Sequence, residues 1–358
     1  MLYSAYMKKS KFKEDTCGVK YIGSKKKLLS FIGDIVNPLD IKTAVDVFSG
    51  TTRVAQYLRS LGIKTDTSDL SWATTAYAHC LVHNKSNSHL QTYIDAMNKL
   101  TGVQGWLSDN YTGTVPQTDD AGEGRCFQLK NAMKADAARD HIDTLSLDPW
   151  EKYTLITSVI FALDCVDNTV GVQQAYLKKW CARSHNDIVF KLPISNTGPT
   201  GTHFEGSCLS IKYNKYDLAY FDPPYSPHSY STYYHIWDSI VKWDKPATSL
   251  KAKRRIDRVA KNKDFDPSME SPWNSKNKAV DATRSLLKRI DSKYFLFSYS
   301  NESLIAEDAL FNLLKEFGEI TATEVDYRRN IMSQIGNAKD DAKKNQQNKE
   351  FLILVKTP

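Results

Sequence analysis

Two hydrophobic rhythms alternate along the first eighty residues. Leu28 to Val36 recurs at helical spacing after a turn-like Tyr21-Ile22-Gly23-Ser24, and Val54, Leu58 and Leu61 do so again before Gly62. Between them Thr43 to Phe48 is a short, β-branched apolar run broken by Ser49-Gly50. Ile63 to Thr67 is a second such run, ending at Asp69. Strand, glycine turn, helix, strand is the order of a βαβ unit, so this region predicts a parallel sheet.

The rhythm then changes. Residues 85–150 are polar and mixed, with a turn-rich patch from Thr112 to Gly124. Residues 151–182 predict helix, with Leu155, Val159, Ala162 and Leu163 on one face. Sheet-like patterning resumes near His203. Asp217 to Phe221 reads as a buried strand stopped by Asp222-Pro223-Pro224, and Lys293 to Ser298 as another, followed by a helix from Ser303 to Phe317. Glu319 to Tyr327 and Phe351 to Lys356 predict an antiparallel pair around a polar loop, Gly336 to Lys349. The expected fold is α/β: a doubly wound sheet interrupted by an inserted, mainly helical region. The divisions are 1–84, 85–200 and 201–358.

Composition narrows the class. The 358 residues are 41% hydrophobic and 25% charged, the balance of a globular protein rather than a disordered or fibrous one. No run approaches the roughly 20 apolar residues of a membrane helix. Met1 to Lys13 mixes tyrosine and lysine without an apolar core, so a secretory signal is not expected and a cytoplasmic location is. Forty-eight Lys and Arg against 41 Asp and Glu leave +7, a charge that tolerates a polyanion without requiring one. The six cysteines form no C-x-x-C pair and read as reduced, buried thiols. His79 and His83 flank Cys80 but lack a second ligand pair, so they read as helix-surface residues and no metal is expected.

Two short segments carry the chemistry. Asp46-Val-Phe-Ser-Gly50 follows the first strand, where a doubly wound sheet binds its nucleotide. Gly50 permits close backbone approach, and Asp69 lies about 20 residues on, the spacing of a ribose-binding carboxylate. Thr51-Thr52-Arg53 replaces the later glycines of a pyrophosphate cradle. A ligand with a ribose and no phosphates, such as S-adenosylmethionine, therefore fits better. The same residues also fit a strand-turn-helix that holds nothing. The stronger segment is Asp222-Pro223-Pro224-Tyr225. Two prolines after an apolar strand restrict the backbone and remove two amide donors, so the Asp222 carboxylate and the Pro223 carbonyl can face one point. Those two acceptors suit an exocyclic amino group, and Tyr225 offers a flat face for a planar base. Tyr230, Tyr233, Tyr234 and Trp237 follow closely.

These motifs together resemble the D12-class adenine-N6 DNA methyltransferases, the α arrangement that includes the Dam-type enzymes, over most of the chain. Val19 to Lys25 is similar to the family's amino-terminal cofactor motif, with Tyr21, Gly23 and Lys25 carried over. Asp46, Phe48, Ser49 and Gly50 match its glycine motif, although Thr52 stands where a second glycine is usual. Asp69 matches the ribose-binding acid, and Ser207 falls where the family often has an Asp near the cofactor adenine. Phe221 to Tyr225 matches the catalytic motif in its adenine form, with Asp222, Pro223, Pro224 and Tyr225 as the catalytic set. Asn168-Thr169, Gly171 and Ala175 to Lys178 resemble a segment of restriction-associated members. The resemblance implies a Rossmann-like catalytic domain in two halves, 1–84 binding S-adenosyl-L-methionine and 201–358 catalytic, with 85–200 reading the target. It implies double-stranded DNA as substrate, extrusion of the target adenine, and a separate restriction endonuclease as partner.

Basic residues supply candidates for DNA contact. Residues 242–264 hold nine basic against three acidic residues, most of the chain's net charge, just beyond the catalytic motif. Lys253, Arg254, Arg255 and Arg258 are the leading candidates there, with Arg328 and Arg329 second. A solvated basic stretch explains the same composition equally well. Arg125, Lys130, Lys134, Arg139, Lys178, Lys179 and Arg183 of the inserted region are more simply helix-surface charges. The alternatives are the same methyl transfer on RNA or cytosine N4, a catalytically silent DNA-binding subunit, and a nicotinamide oxidoreductase. Asp rather than Ser at position 222 disfavours the cytosine-N4 enzymes. The intact motif disfavours a silent subunit, and the missing glycines disfavour a nicotinamide fold.

Overall fold

The computed structural model describes residues 2–3, 16–85, 87–112, 126–249, 251–301, 303–327 and 348–358. Ten strands follow in chain order: β1 (Leu2–Tyr3), β2 (Thr43–Asp46), β3 (Lys64–Asp69), β4 (Thr169–Val172), β5 (Ala175–Tyr176), β6 (Thr200–Glu205), β7 (Tyr216–Phe221), β8 (Ser292–Ser300), β9 (Glu319–Tyr327) and β10 (Asn348–Lys356). The helices are α1 (Leu29–Val36), α2 (Arg53–Ser60), α3 (Trp72–Tyr77), α4 (Gln91–Lys99), α5 (Trp106–Tyr111), α6 (Leu129–Thr144), α7 (Pro149–Val166), α8 (Tyr230–Tyr233), α9 (His235–Lys242), α10 (Lys276–Leu287) and α11 (Glu307–Lys315).

Eight strands form one sheet in the order β1-β9-β10-β8-β7-β2-β3-β6. The run β6, β3, β2, β7, β8 is parallel, while β10 pairs antiparallel with both β8 and β9, as the two carboxy-terminal runs predict. From β2 in the middle of the sheet the chain moves outward through β3 to β6, then returns to β7 on the other side of β2. Strand order therefore reverses between β2 and β7, and a crevice opens beyond their carboxyl ends at such a reversal.

Alternation sets the two faces of the sheet. Phe221, Phe295, Phe297, Phe351, Ile353 and Val355 pack beneath α10 and α11, whereas Leu218, Tyr220, Leu296 and Leu352 face α1 and α2. Helices cover both faces, so the central strands read as continuous apolar runs.

The inserted region differs in part from expectation. The polar stretch 85–150 contains three helices, α4, α5 and α6. The helix expected over 151–182 ends at Val166, and residues 169–176 form a β4–β5 hairpin instead. Asn168 is the cause: buried completely, it donates from Nδ2 to Leu177 O at 2.9 Å and accepts the Cys181 amide at 2.9 Å. β-Branched Thr169, Val170 and Val172 favour the strand, and Gly171 at φ +98° kinks it. These helices share one apolar core with α3 and α9, so the chain packs continuously across position 200. Among the described residues no helix is long and apolar enough to cross a membrane.

Candidate active site

The crevice begins with the turn after β2. Ser49 Oγ donates to Asp46 O at 2.7 Å and accepts the Ser68 amide at 3.2 Å, which folds the chain back against β3. Gly50 then turns at φ +48°, and a Cβ there would meet the Tyr21 ring at 3.4 Å. Thr52 is also left-handed, at φ +59°, and its Oγ1 accepts from Gln56 Nε2 at 3.0 Å. The second glycine usual in this motif thus corresponds to a real conformational demand, one that Thr52 meets under strain.

Asp69 closes the turn from the neighbouring strand. Its Oδ2 accepts the Gly50 amide at 2.8 Å and its Oδ1 the Ser71 amide at 2.8 Å. Burial raises its pKa, and the amide hydrogen bonds oppose that rise. Asp46 is more isolated. Only 1% exposed, it accepts the Ala55 amide through Oδ2 at 3.2 Å, while Oδ1 has no hydrogen-bond partner among the described residues. Burial first, then repulsion from Asp222 and Asp69, holds its pKa well above the usual carboxylate range.

Beyond β7, Asp222 is met by the amino-terminal segment. Gly23 turns at φ +77°, and a single 3-10 turn, Lys25–Leu28, delivers Lys25 Nζ to within 3.0 Å of Asp222 Oδ1. The Tyr225 hydroxyl, with one proton to donate, lies within hydrogen-bond distance of the same oxygen and, at 3.0 Å, of Ser298 O. Burial raises the Asp222 pKa against the pull of Lys25 and Tyr225. The Tyr225 ring does not present two open faces. Lys25 Nζ lies 4.4 Å above the ring centroid, so one face is covered by an ammonium.

Tyr21, Gly23, Lys25, Asp46, Phe48, Ser49, Gly50, Asp69, Ser207 and the Asp222–Tyr225 segment all line one cavity. Tyr230, Tyr234 and Trp237 join them, with Tyr21 stacked on Tyr234 at 4.4 Å. Several walls escaped the sequence reading. The loop Met269 to Asn274 closes one side, its Trp273 meeting Phe48 edge-on at 4.8 Å. Asn274 Nδ2 donates to Ser226 O at 2.7 Å and so ties that loop to the chain just after Tyr225. Glu350, from β10, approaches Lys25 at 3.9 Å. No local motif marks these residues, because they reach the crevice only through contacts between distant parts of the chain.

Two readings require correction. Arg255 and Arg258 are buried, not presented to solvent. Arg255 pairs with Asp244 and Asp257 at 2.7 Å each, and Arg258 with Asp257 at 3.0 Å. Both guanidinium groups stack on Trp72, at 5.1 and 5.0 Å, and so clamp the basic segment to α3. Lys253 and Arg254 stay half-exposed. Arg139 is likewise interior, donating to Ile240 O at 2.7 Å. Arg125, Arg328 and Arg329 lie outside the described residues. His79 and His83, read as helix-surface residues, are half-buried beside His203. Thr67 Oγ1 bridges His83 Nε2 at 2.8 Å and His203 Nδ1 at 3.0 Å, and burial lowers both imidazoles to about 3. Among the described residues no group of His, Cys, Asp or Glu is disposed to hold a metal ion.

Comparison with known proteins accords with this geometry. Modification methylase StsI of Streptococcus sanguinis is 28% identical over 90% of this chain and 50% of its own length. Modification methylase LlaI of Lactococcus lactis subsp. lactis is 25% identical over 94% of this chain and 55% of its own. The chain thus spans about half the length of these two relatives. Type II methyltransferase M.CviAII of Paramecium bursaria Chlorella virus 1 is 25% identical, with 94% of this chain and 98% of its own covered. The family model for D12 class N6 adenine-specific DNA methyltransferase matches residues 21–313. With the Asp222–Tyr225 segment, the glycine turn, Asp46 and Asp69 inside that match, the chain belongs to the D12 class of N6 adenine-specific DNA methyltransferases.

Proposed function

We propose that the protein transfers a methyl group from S-adenosyl-L-methionine to N6 of adenine in double-stranded DNA. One observation carries the reading: Asp46, Asp69 and Asp222 converge on a single cavity at the reversal of strand order, and Asp46 Oδ1 is buried without a partner among the described residues. With Glu270 these acids outnumber Lys25 and Arg53 along the cavity wall, an acidic lining that suits a ligand that is cationic and phosphate-free. S-adenosyl-L-methionine fits that description, and when bound it supplies an electrophilic methyl group on a sulfonium. Asp69 would accept the ribose hydroxyls with the lone pairs that Gly50 and Ser71 leave free. Asp46 would complete its coordination with the ligand's ammonium, and Ser207 would face the adenine ring.

On the substrate side, Asp222 and the Pro223 carbonyl would accept the two amino hydrogens of adenine. That arrangement turns the nitrogen lone pair into the cavity and aligns it for transfer. Inside a duplex the amino group is out of reach, so the base must be extruded, at a cost of about a few kcal/mol. Contact with the open side of Tyr225 offsets part of it, with stacking worth about 1–3 kcal/mol per base. Lys253 and Arg254 remain as phosphate contacts from the basic segment. We also place the activity in the cytoplasm, with a restriction endonuclease as a separate chain.

The test is single-molecule sequencing of DNA from a methylation-free host expressing this chain, beside an Asp222→Ala control. N6-methyladenine at one recurring sequence, absent from the control, is expected. Soluble protein with no methyladenine in the DNA would overturn the reading.

A further inference from the structure

Lys25 stands between two carboxylates that come from distant parts of the chain. Its Nζ lies 3.0 Å from Asp222 Oδ1 and 3.9 Å from Glu350 Oε2. Topology explains the second contact. Because β10 runs antiparallel to β8, its first residues lie at the carboxyl end of the parallel strands, where Glu350 pairs with Ser300. Glu350 precedes the apolar run Phe351 to Val355 and its side chain is only 14% exposed. A carboxylate so placed is costly without a cation nearby.

The contact with Asp222 bears on the chemistry proposed above. Asp222 Oδ1 is engaged by Lys25 and by the Tyr225 hydroxyl, which leaves Oδ2 to accept from the adenine amino group. The amino nitrogen also gains positive charge as it is methylated, and an ammonium held 3.0 Å from its acceptor opposes that charge. We propose that Glu350 is a positioning residue that takes Lys25 from Asp222 when the target adenine enters. The inference rests on the methyl-transfer reading. The ammonium is already within 4 Å of both carboxylates, so a small swing of one side chain completes the exchange. Lys25 then offsets the charge of Asp222 in the empty site, and Glu350 offsets that of Lys25 while Asp222 works.

The test compares wild type with Glu350→Gln, Glu350→Asp, Lys25→Met and the Lys25→Met/Glu350→Gln pair. Two readouts are used on the sequence that methylation mapping defines. The first is the single-turnover rate of methyl transfer. The second is the affinity, with S-adenosylhomocysteine present, for duplexes bearing adenine or purine at the target position. Purine lacks the amino group, so the preference for adenine reports access to Asp222. Glu350→Gln is expected to slow transfer about tenfold, the loss of one charged contact, with half-saturating cofactor unchanged. It should also remove most of the adenine preference, while Glu350→Asp falls between. In the Lys25→Met background the Glu350→Gln change should have no further effect.

Wild-type behaviour of Glu350→Gln, equal loss of affinity for both duplexes, or full additivity with Lys25→Met would each overturn the exchange and leave the methyl-transfer reading standing. Absence of transfer by wild type itself would sink both. Should Glu350→Gln fail to fold, Glu350→Asp, which keeps the charge, carries the same comparison.

Discussion

The amide of Gly50 donates to the Asp69 carboxylate at 2.8 Å, so the glycine turn after β2 and the acid at the end of β3 are one unit. Two segments that look independent in the sequence share one hydrogen bond, and the second Asp69 oxygen is occupied by the Ser71 amide. Asp69→Asn should therefore be nearly as harmful as Asp69→Ala, because an amide nitrogen turned toward either N–H cannot accept from it. Losing one such bond costs about 1–3 kcal/mol, roughly tenfold or more in affinity. Calorimetric titration with S-adenosylhomocysteine checks this, and an Asn variant binding like wild type would refute it.

Thr52 tests how strain and hydrogen bonding balance. Removing a left-handed, β-branched residue relieves about 1–2 kcal/mol. Glycine's greater freedom in the unfolded chain returns about 0.4–1 kcal/mol, and loss of the Gln56 contact about 1 kcal/mol more. Thr52→Gly should thus lie within about 1 kcal/mol of wild type by urea denaturation. Destabilisation well beyond that would show that the side chain contributes more than its strain costs.

Asp46, Asp69 and Asp222 all have raised pKa values through burial, which gives stability a definite pH dependence. A carboxyl whose folded pKa lies above its unfolded value contributes stability below pH about 4, and loses it as pH rises through the folded pKa. The ligand-free protein should therefore lose melting temperature from these groups as pH climbs above about 4. Asp46→Asn should flatten that fall and stabilise the ligand-free protein by about 1–3 kcal/mol near neutral pH, while shrinking the thermal shift given by S-adenosyl-L-methionine. An unchanged melting profile for Asp46→Asn would contradict this account.

The basic segment divides into two kinds of residue. Arg255→Ala would strand Asp244 and Asp257 and strip Trp72 of a stacked guanidinium, so it should destabilise by about 3 kcal/mol in thermal or chemical unfolding. Lys253→Ala and Arg254→Ala should leave stability within about 0.5 kcal/mol. Each should instead lower the salt-dependence slope of DNA binding by about 1. Unfolding by either exposed substitution, or none by Arg255→Ala, would reverse the assignment.

Much of the fold and site was legible locally. The βαβ order of residues 43–69, the apolar strand running into Asp222-Pro223-Pro224-Tyr225, and the antiparallel end of the sheet all follow from short-range periodicity and the steric rules of proline and glycine. The hairpin at 169–176 was not legible, because side-chain hydrogen bonds from Asn168 ended a helix that apolar spacing alone would continue. Nor could charge composition separate Arg255 and Arg258 from Lys253 and Arg254, since each ion pair depends on which acid the folded chain brings alongside.

By itself, then, the sequence determined the motifs: a glycine turn after an apolar strand, an acid about 20 residues on, and an Asp-Pro-Pro-Tyr segment that ends another strand. Those properties depend on backbone sterics and residue type over a few positions. Only the tertiary structure decided what surrounds them. The reversal of strand order placed Asp46 and Asp222 in one crevice, the antiparallel return of β10 delivered Glu350 to Lys25, and burial converted two arginines from surface charge into internal clamps. Each of these is a contact between residues far apart in the chain, set by sheet topology and packing rather than by anything adjacent in the sequence.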